Sequence, residues 1–358
     1  MKLLILTQKI DKNDDLLGFF HGWVAKLARH FEKITVVALG VGDYELPLNV
    51  KALSLGKEKL EIGNWKLEII KKLIYLKNFY WYIWRERNNY DAVFIHMNQE
   101  YVILGGWLWR LLGKKIMLWR NHPKGDLWAD LAVYFSDKVF CTSRFAYVAK
   151  FKKTQIMPVG VDTDFFKPEA AGEKIPFSLL FFGRLSPIKK PEVFIEALRI
   201  LKEKNTNFTA KIVGNAPARD KKYATVLKQK AEEYGLGDSV KFEKGVPYRL
   251  APAVFNQHEI FVNATPSGSF DKMIFEAMAC ESLVLASNKN LEAILPQDLA
   301  AELIFKEGDA ADLAAKAEAL LNLPTARAEE IKKQLREIVV SRQSLEKLMA
   351  ELRPRFKD

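Results

Sequence analysis

Two short stretches place charged side chains where a phosphate and a sugar can be held. In FFGRLSPIKKPEVFIEALRIL, residues 181–201, an apolar run stops at Gly183 and a short loop presents Arg184 and Lys189. A helical period then opens at Pro191, with Val193, Phe194, Ala197, Leu198 and Leu201 on one face. Two cations beside a helix N-terminus, at the carboxyl end of a strand, suit a diphosphate: the side chains neutralise charge and the backbone N–H groups donate. In EIFVNATPSGSFDKMIFEAMAC, residues 259–280, strand, loop and helix recur, and Glu276 falls in the opening turns of the helix. A carboxylate there can accept hydrogen bonds from both hydroxyls of a ribose. Each loop alone is as readily a solvated turn, and a single helical Glu is usually solvated, so the inference rests on the pair. VGNAPARD (213–220), with Gly214 and Asn215, and KFEKGVP (241–247), with Val246, add strand-to-loop turns whose backbone groups can meet a base or a sugar.

The elements that must position these residues alternate between apolar strand-like runs and helical periods, the pattern of parallel sheets covered by helices. Strands are expected at Lys2–Thr7, Lys33–Leu39, Ala92–His96, Lys115–Trp119 and Lys138–Cys141. A second set is expected at Phe177–Phe182, Ala210–Val213, Val240–Phe242, Ile260–Val262 and Leu283–Ala286. The fold class is therefore α/β, with two doubly wound, Rossmann-like parallel sheets. The prolines, glycines and small polar residues of Pro158–Pro176 mark the linker between them. The expected domains are residues 1–170, residues 171–325, and a helical tail, 326–358, whose apolar Leu345, Leu348, Met349 and Leu352 require a docking surface.

At 358 residues with 49% hydrophobic and 28% charged side chains, the chain can bury two cores, which excludes disorder and disulfide scaffolds. No apolar run approaches the ~20 residues needed to cross a bilayer. The opening MKLLILTQK reads as a first strand and lacks a cleavage signal. Cys141 and Cys280 are isolated and no His cluster accompanies them, so neither a disulfide framework nor a metal site is expected, and the compartment is the reducing cytoplasm.

The net charge of +11 is uneven: residues 1–170 hold 26 Lys and Arg against 18 Asp and Glu, together with all eight Trp. The segment from Trp65 to Arg87 interleaves Lys66, Lys71, Lys72, Lys77, Arg85 and Arg87 with Trp65, Tyr75, Phe79, Tyr80, Trp81, Tyr82 and Trp84. Such a helix either buries one face with a solvated basic edge or meets an anionic membrane surface. No nucleic-acid recognition module accompanies the charge, so nucleic acid is not an expected partner.

Taken in order and at their spacings, GRLSPIKKP, VGNAP, GVP, PSGSFDKMIFEAMAC and the linker PVGVDTDFFKP resemble the retaining GT-B glycosyltransferases of family 4. The resemblance is densest across about 155–290 and looser before it. It implies that Arg184 and Lys189, beside Gly183, hold the donor diphosphate and neutralise it as it leaves, without a metal or other cofactor. Glu276 matches the second Glu of the family's E-x7-E motif, which binds the nucleotide ribose. The first Glu falls at Gly268 in this chain, so backbone N–H groups from Gly268 through Ser269 to Phe270, or Asp271, stand in for the sugar contact, with Lys272 beside them. Glu281 also departs from the family, which usually has Gly there. In the first half, Gly18 and Gly22 occupy the place of the family's glycine-rich loop, and His96 stands at a strand end like its sugar-contacting histidine. Thr142 and Ser143 follow another strand. His122, with Arg120 and Lys124, is a candidate for an anionic acceptor.

The expected activity is transfer of a hexose from a UDP- or GDP-sugar to a saccharide or lipid-linked acceptor, with retention, in surface polysaccharide or glycolipid synthesis. Its place would be the cytoplasm or the inner face of the plasma membrane. A nucleotide-sugar epimerase of the same fold, with His96, His122 and Asp271 as its ionisable groups, and a non-catalytic nucleotide-sugar binding protein are the alternatives. The GT-B fold implied by the resemblance has the C-terminal helix returning to the first domain.

Overall fold

The computed structural model describes residues 1–59, 65–169, 174–268 and 270–356. The chain forms two compact units, Met1–Met157 with the tail from Leu348, and Pro158–Lys347. In the first, the strands are β1 (Lys2–Ile10), β2 (Lys33–Val41), β3 (Val50–Ser54), β4 (Ala92–His96), β5 (Lys115–Trp119), β6 (Lys138–Cys141) and β7 (Thr154–Ile156). Its helices are α1 (Gly18–Ala28), α2 (Trp65–Arg85), α3 (Gln99–Leu111) and α4 (Leu127–Phe135). In the second, the strands are β8 (Ile175–Phe182), β9 (Thr209–Val213), β10 (Val240–Glu243), β11 (His258–Asn263) and β12 (Leu283–Ala286). Its helices are α5 (Pro191–Glu203), α6 (Lys221–Glu233), α7 (Ala251–Asn256), α8 (Lys272–Ala279), α9 (Gln297–Leu303), α10 (Ala310–Leu321) and α11 (Thr325–Ile338), and α12 (Leu345–Arg355) ends the chain.

Every strand pairing within the two sheets is parallel, and the sheets share one logic of order, β3-β2-β1-β4-β5-β6-β7 and β10-β9-β8-β11-β12. Parallel strands need crossover helices on both faces, so the central strands are buried on both sides and read as unbroken apolar runs. Leu3, Leu4, Ile5 and Leu6 of β1, and Val93, Phe94 and Ile95 of β4, are sealed from solvent. The order reverses between β1 and β4, and between β8 and β11. Connections leave those strands toward opposite faces and open a crevice at their carboxyl ends.

The five strands expected in each half are present, and β3 and β7 join the first sheet as half-exposed edges. Of the segment expected as a linker, residues 158–169 are packed into the second unit, because Val159, Val161 and Phe166 are apolar and bury there, and residues 170–173 lie outside the described residues. The tail divides: α11 packs on α8, whereas Phe356 at its far end meets Phe31 at 5.1 Å and Phe94 at 5.8 Å, ring edge to ring face.

Helix α8 ends at Cys280, and the next residue, Glu281, is held in the left-handed conformation (φ 54°) that helix ends ordinarily give to glycine. Its backbone carbonyl accepts from Lys174 Nζ at 2.8 Å, a bond that any residue keeps, while its carboxylate reaches Arg336 only at 4.0 Å. A partly exposed contact that long contributes little. Glu281→Gly is therefore expected to stabilise the protein by about 1 kcal/mol, the left-handed penalty less the entropy that glycine adds to the unfolded chain. Urea unfolding measures this, and a lowered midpoint would assign the position to its ion pair.

Candidate functional site

The crevice of the second sheet begins with three glycines at the ends of three neighbouring strands. A Cβ on Gly214, after β9, would lie 1.8 Å from the carbonyl oxygen of Gly183, after β8, so only glycine fits this crossing. Hydrogen bonds lace the loops together: Gly183 N to Val213 O (3.0 Å), Leu185 N to Asn215 O (3.0 Å) and Gly214 N to Glu243 O (3.1 Å). Asn215 completes the brace by accepting from Gly245 N at 3.1 Å through its side-chain oxygen. The loop from Arg184 to Lys190 thus leaves β8 from a fixed base. It ends at Lys190, in the left-handed region (φ 48°, ψ 47°), from which Pro191 starts α5.

Of the two cations, Arg184 is half-buried and has no carboxylate within ion-pair distance among the described residues. Lys189 is committed: its ammonium donates to Oδ2 of Asp271, across the crevice on the loop after β11. That oxygen also accepts from Asn263 Nδ2 (2.8 Å) and Thr265 Oγ1 (3.1 Å), while Oδ1 caps α8 by accepting from Met273 N at 3.4 Å. Burial pushes the Asp271 carboxyl up, but Lys189 and these hydrogen bonds outweigh it and hold it below the ordinary carboxylate range. Asp271 is therefore a satisfied, neutralised group, in contrast to the free carboxylate that a replacement for Glu at position 268 requires. Ser186, in the same loop as the cations, has a buried hydroxyl without a hydrogen-bond partner among the described residues.

Glu276 lies one turn into α8 and is 4% exposed. Burial raises its carboxyl toward neutrality, against the pull of Lys272 one helical turn earlier, and burial lowers Lys272. The Tyr248 hydroxyl approaches Glu276 Oε1 at 3.5 Å, and burial beside that carboxylate raises the phenol well above its ordinary value. Phe165 stacks on Tyr248 with ring centroids 5.5 Å apart. Sequence patterning gave no sign of Phe165 or Tyr248, because both look like ordinary core aromatics until the chain folds.

Phe270 is a core residue, edge-on to Phe275 at 4.7 Å, and Val246 packs against the same core. Ser269 lies outside the described residues. Ser267, just before Gly268, is tied back: its hydroxyl accepts from Lys289 N (3.0 Å), its carbonyl from Asn290 Nδ2 (2.9 Å), and its N–H faces Glu307 Oε2 at 3.5 Å. Glu307 also pairs with Lys190 at 3.5 Å. This bridge between the two loops joins residues more than a hundred positions apart, which no local spacing reveals.

In the first unit His96 ends β4 and is 2% exposed. Its Nδ1 meets Thr7 Oγ1 at 3.2 Å, and its ring stacks on Phe20 at 3.8 Å, with Phe19 and Trp23 each 5.9 Å away. An aromatic cage from α1 covers it. Gly18 is the first residue of α1 and Gly22 lies inside that helix, not in a loop, with nothing within 4 Å of where its Cβ would be. Arg120 is buried and braces the following turn, donating to Gln99 Oε1 (2.7 Å) and Lys124 O (2.9 Å), and burial lowers its pKa. His122 and Lys124 are exposed on that turn, joined by His122 Nδ1 and Lys124 O at 2.8 Å. Thr142 and Ser143 are buried at the end of β6.

Residues 162–338 match the family of glycosyl transferases group 1. A D-inositol 3-phosphate glycosyltransferase 2 from Catenulispora acidiphila is 29% identical over 177 residues, 46% of this chain and 42% of that protein. A D-inositol 3-phosphate glycosyltransferase from Geodermatophilus obscurus is 27% identical over 187 residues, 49% of this chain and 42% of its own. Both matches span less than half the length of the relatives. Among solved structures, HepE from Anabaena in complex with UDP and glucose superposes with a TM-score of 0.77 at 16% identity, covering 100% of both chains. Sucrose-phosphate synthase from Thermosynechococcus elongatus superposes with a TM-score of 0.79 at 17% identity, covering 100% of this chain and 98% of that one. Residues 162–338 of the second unit are thus similar to the glycosyl transferases group 1 family, and the chain has a GT-B fold.

Proposed function

We propose that the protein is a retaining, metal-independent glycosyltransferase that moves a hexose from a UDP- or GDP-sugar to a saccharide or lipid-linked acceptor. The observation that carries this reading is the pairing, across one crevice, of the Arg184 and Lys189 loop with the buried carboxylate of Glu276. In this reading the diphosphate lies against Arg184 and Lys189, and Glu276 accepts from the ribose hydroxyls. The cations stabilise charge that develops on the departing nucleotide, and the braced glycine loops keep them in place without reorganisation. The match of residues 162–338 to the family and the nucleotide in the HepE complex support the donor class. Acceptor recognition falls to the first unit, with the exposed His122 and Lys124 turn as its anion-facing part. The cytoplasm and the inner face of the plasma membrane, in polysaccharide or glycolipid synthesis, complete the reading. The names of the relatives make an inositol phosphate one acceptor to be assayed beside lipid-linked saccharides.

Thermal melting with UDP, GDP and their glucose conjugates tests the donor site. One nucleotide at a hundred times its dissociation constant should add about 2.7 kcal/mol to stability, and Glu276→Ala should abolish the shift. No shift with any of them would reopen the alternatives.

The two cations should separate in turnover assays that follow nucleotide release from the donor. Arg184→Ala is expected to lower kcat by about 10²–10³ with an unchanged melting temperature, because no buried partner is stranded. Lys189→Ala should lower both, since Asp271 is left as an uncompensated buried charge, at a cost of about 3–5 kcal/mol. Equal melting temperatures for the two variants would contradict the ion pair.

Because Glu276 is raised toward neutrality and must be ionised to accept two hydroxyls, nucleotide affinity should strengthen with rising pH through the neutral range and level off above it. Isothermal titration from pH 6 to pH 8 reads this slope, at most about tenfold per pH unit. In Glu276→Gln the slope should vanish.

A further inference from the structure

We propose that the outer face of α2, continued by α3 and α4 on the same unit, is a docking surface for a bilayer rich in anionic lipid. This deepens the lipid-side part of the proposed function but stands on separate observations. The 21 residues of α2 make a helix roughly 30 Å long at 1.5 Å per residue. Its inner side is core, with Phe79 and Ile83 fully buried, and Lys71 is also turned inward and paired with Glu68. A second apolar stripe faces solvent: Ile69, Ile70, Leu73, Trp81 and Trp84 are each half or more exposed. With Lys77, positions 70, 73, 77, 81 and 84 keep the three-and-four spacing of one helix face.

The stripe does not end with the helix. Tyr80 donates to Leu104 O at 2.9 Å and its ring lies 6.5 Å from that of Trp107, which is exposed on α3 together with Leu111. Arg110 of α3 lies 5.6 Å from the ring centre of Tyr134 on α4, itself exposed.

Charge placement selects the partner. Lys77 sits inside the stripe, between Leu73 and Trp81, with Lys72 and Arg85 exposed beside it, and the guanidinium of Arg87 lies 4.5 Å over the Trp84 ring. Against a protein, a lysine in the middle of an apolar patch is desolvated unless the partner supplies a carboxylate. At a membrane the same lysine extends its ammonium to the phosphate layer while its stem and the neighbouring Trp rings remain at the acyl boundary. Among the described residues no helix is long and apolar enough to cross a membrane, so contact is along the surface.

Sedimentation of the full chain with vesicles of phosphatidylglycerol and phosphatidylcholine, against phosphatidylcholine alone, tests this. Binding is expected to the anionic vesicles, to weaken with salt, and to fall about tenfold or more in the double variant Lys72→Glu with Lys77→Glu, at an unchanged melting temperature. Brominated acyl chains should quench the wild-type fluorescence, and the conservative double variant Trp81→Phe with Trp84→Phe, which preserves bulk and fold, should show weaker quenching, with Trp107 on the same surface supplying the remainder. The proposal is overturned if anionic vesicles bind no better than neutral ones, if the charge-reversed protein binds like the wild type, or if the stripe instead mediates a concentration-dependent dimer. None of these outcomes depends on nucleotide binding, so failure here is distinguishable from failure of the donor site.

Discussion

The ion pair between Lys189 and Asp271 ties together the two loops that the sheet order drives apart. At the β8 and β11 switch point, among the described residues, no backbone hydrogen bond joins the loop of residues 183–190 to the one that follows β11, because their crossovers leave on opposite faces. One buried carboxylate does so by accepting from a lysine on one loop and from Asn263 and Thr265 on the other, while capping α8. A buried charge is stable only when paired and fully hydrogen-bonded, and every part of that requirement is met here. The position of Glu276 follows from it, since the cap fixes where α8 begins and Glu276 lies one turn further in.

Around that pair the crevice is built from backbone constraint. Gly214 allows one loop to cross another at a distance no side chain permits, and Asn215 spends both its main-chain and side-chain oxygens on neighbouring loops. Rigid loops are what electrostatic stabilisation of a leaving group requires, because a cation that must first reorganise loses much of its benefit. The first unit differs. His96 is clamped under Phe19, Phe20 and Trp23, and Arg120 is consumed in holding a turn, so the exposed polar groups there are the ones that Arg120 supports.

Much of this was legible in the sequence, and the exceptions have physical causes. Central strands such as β1, β4 and β5 announce themselves because burial on both faces demands unbroken apolar runs. The edges β3 and β7 are half exposed, short and mixed in composition, and carry no such signature. Arg184, Lys189 and Glu276 were readable as candidates because strand-loop-helix spacing dictates where a side chain must fall. The commitment of Asp271 to Lys189 and the bridge from Glu307 to Lys190 were not, since each depends on loops that only the folded sheet brings together. His96 illustrates the opposite limit: spacing placed it at a strand end, and only packing decided that α1 would cover it.

The departure at Gly268 acquires sense in this light. With glycine at 268 the loop after β11 carries no carboxylate there, yet Asp271, three residues on, brings one, now turned to the cation and away from solvent. In the proposed reading a diphosphate must therefore compete with Asp271 for Lys189, while Arg184 offers its charge without competition. The lysine is preoriented at the expense of part of its attraction for the ligand, and the sugar meets a loop end whose polar groups are mostly main chain. Selectivity for the donor sugar then has to come from loop shape, held by Ser267, Asn290 and Glu307, more than from a charged side chain aimed at a hydroxyl.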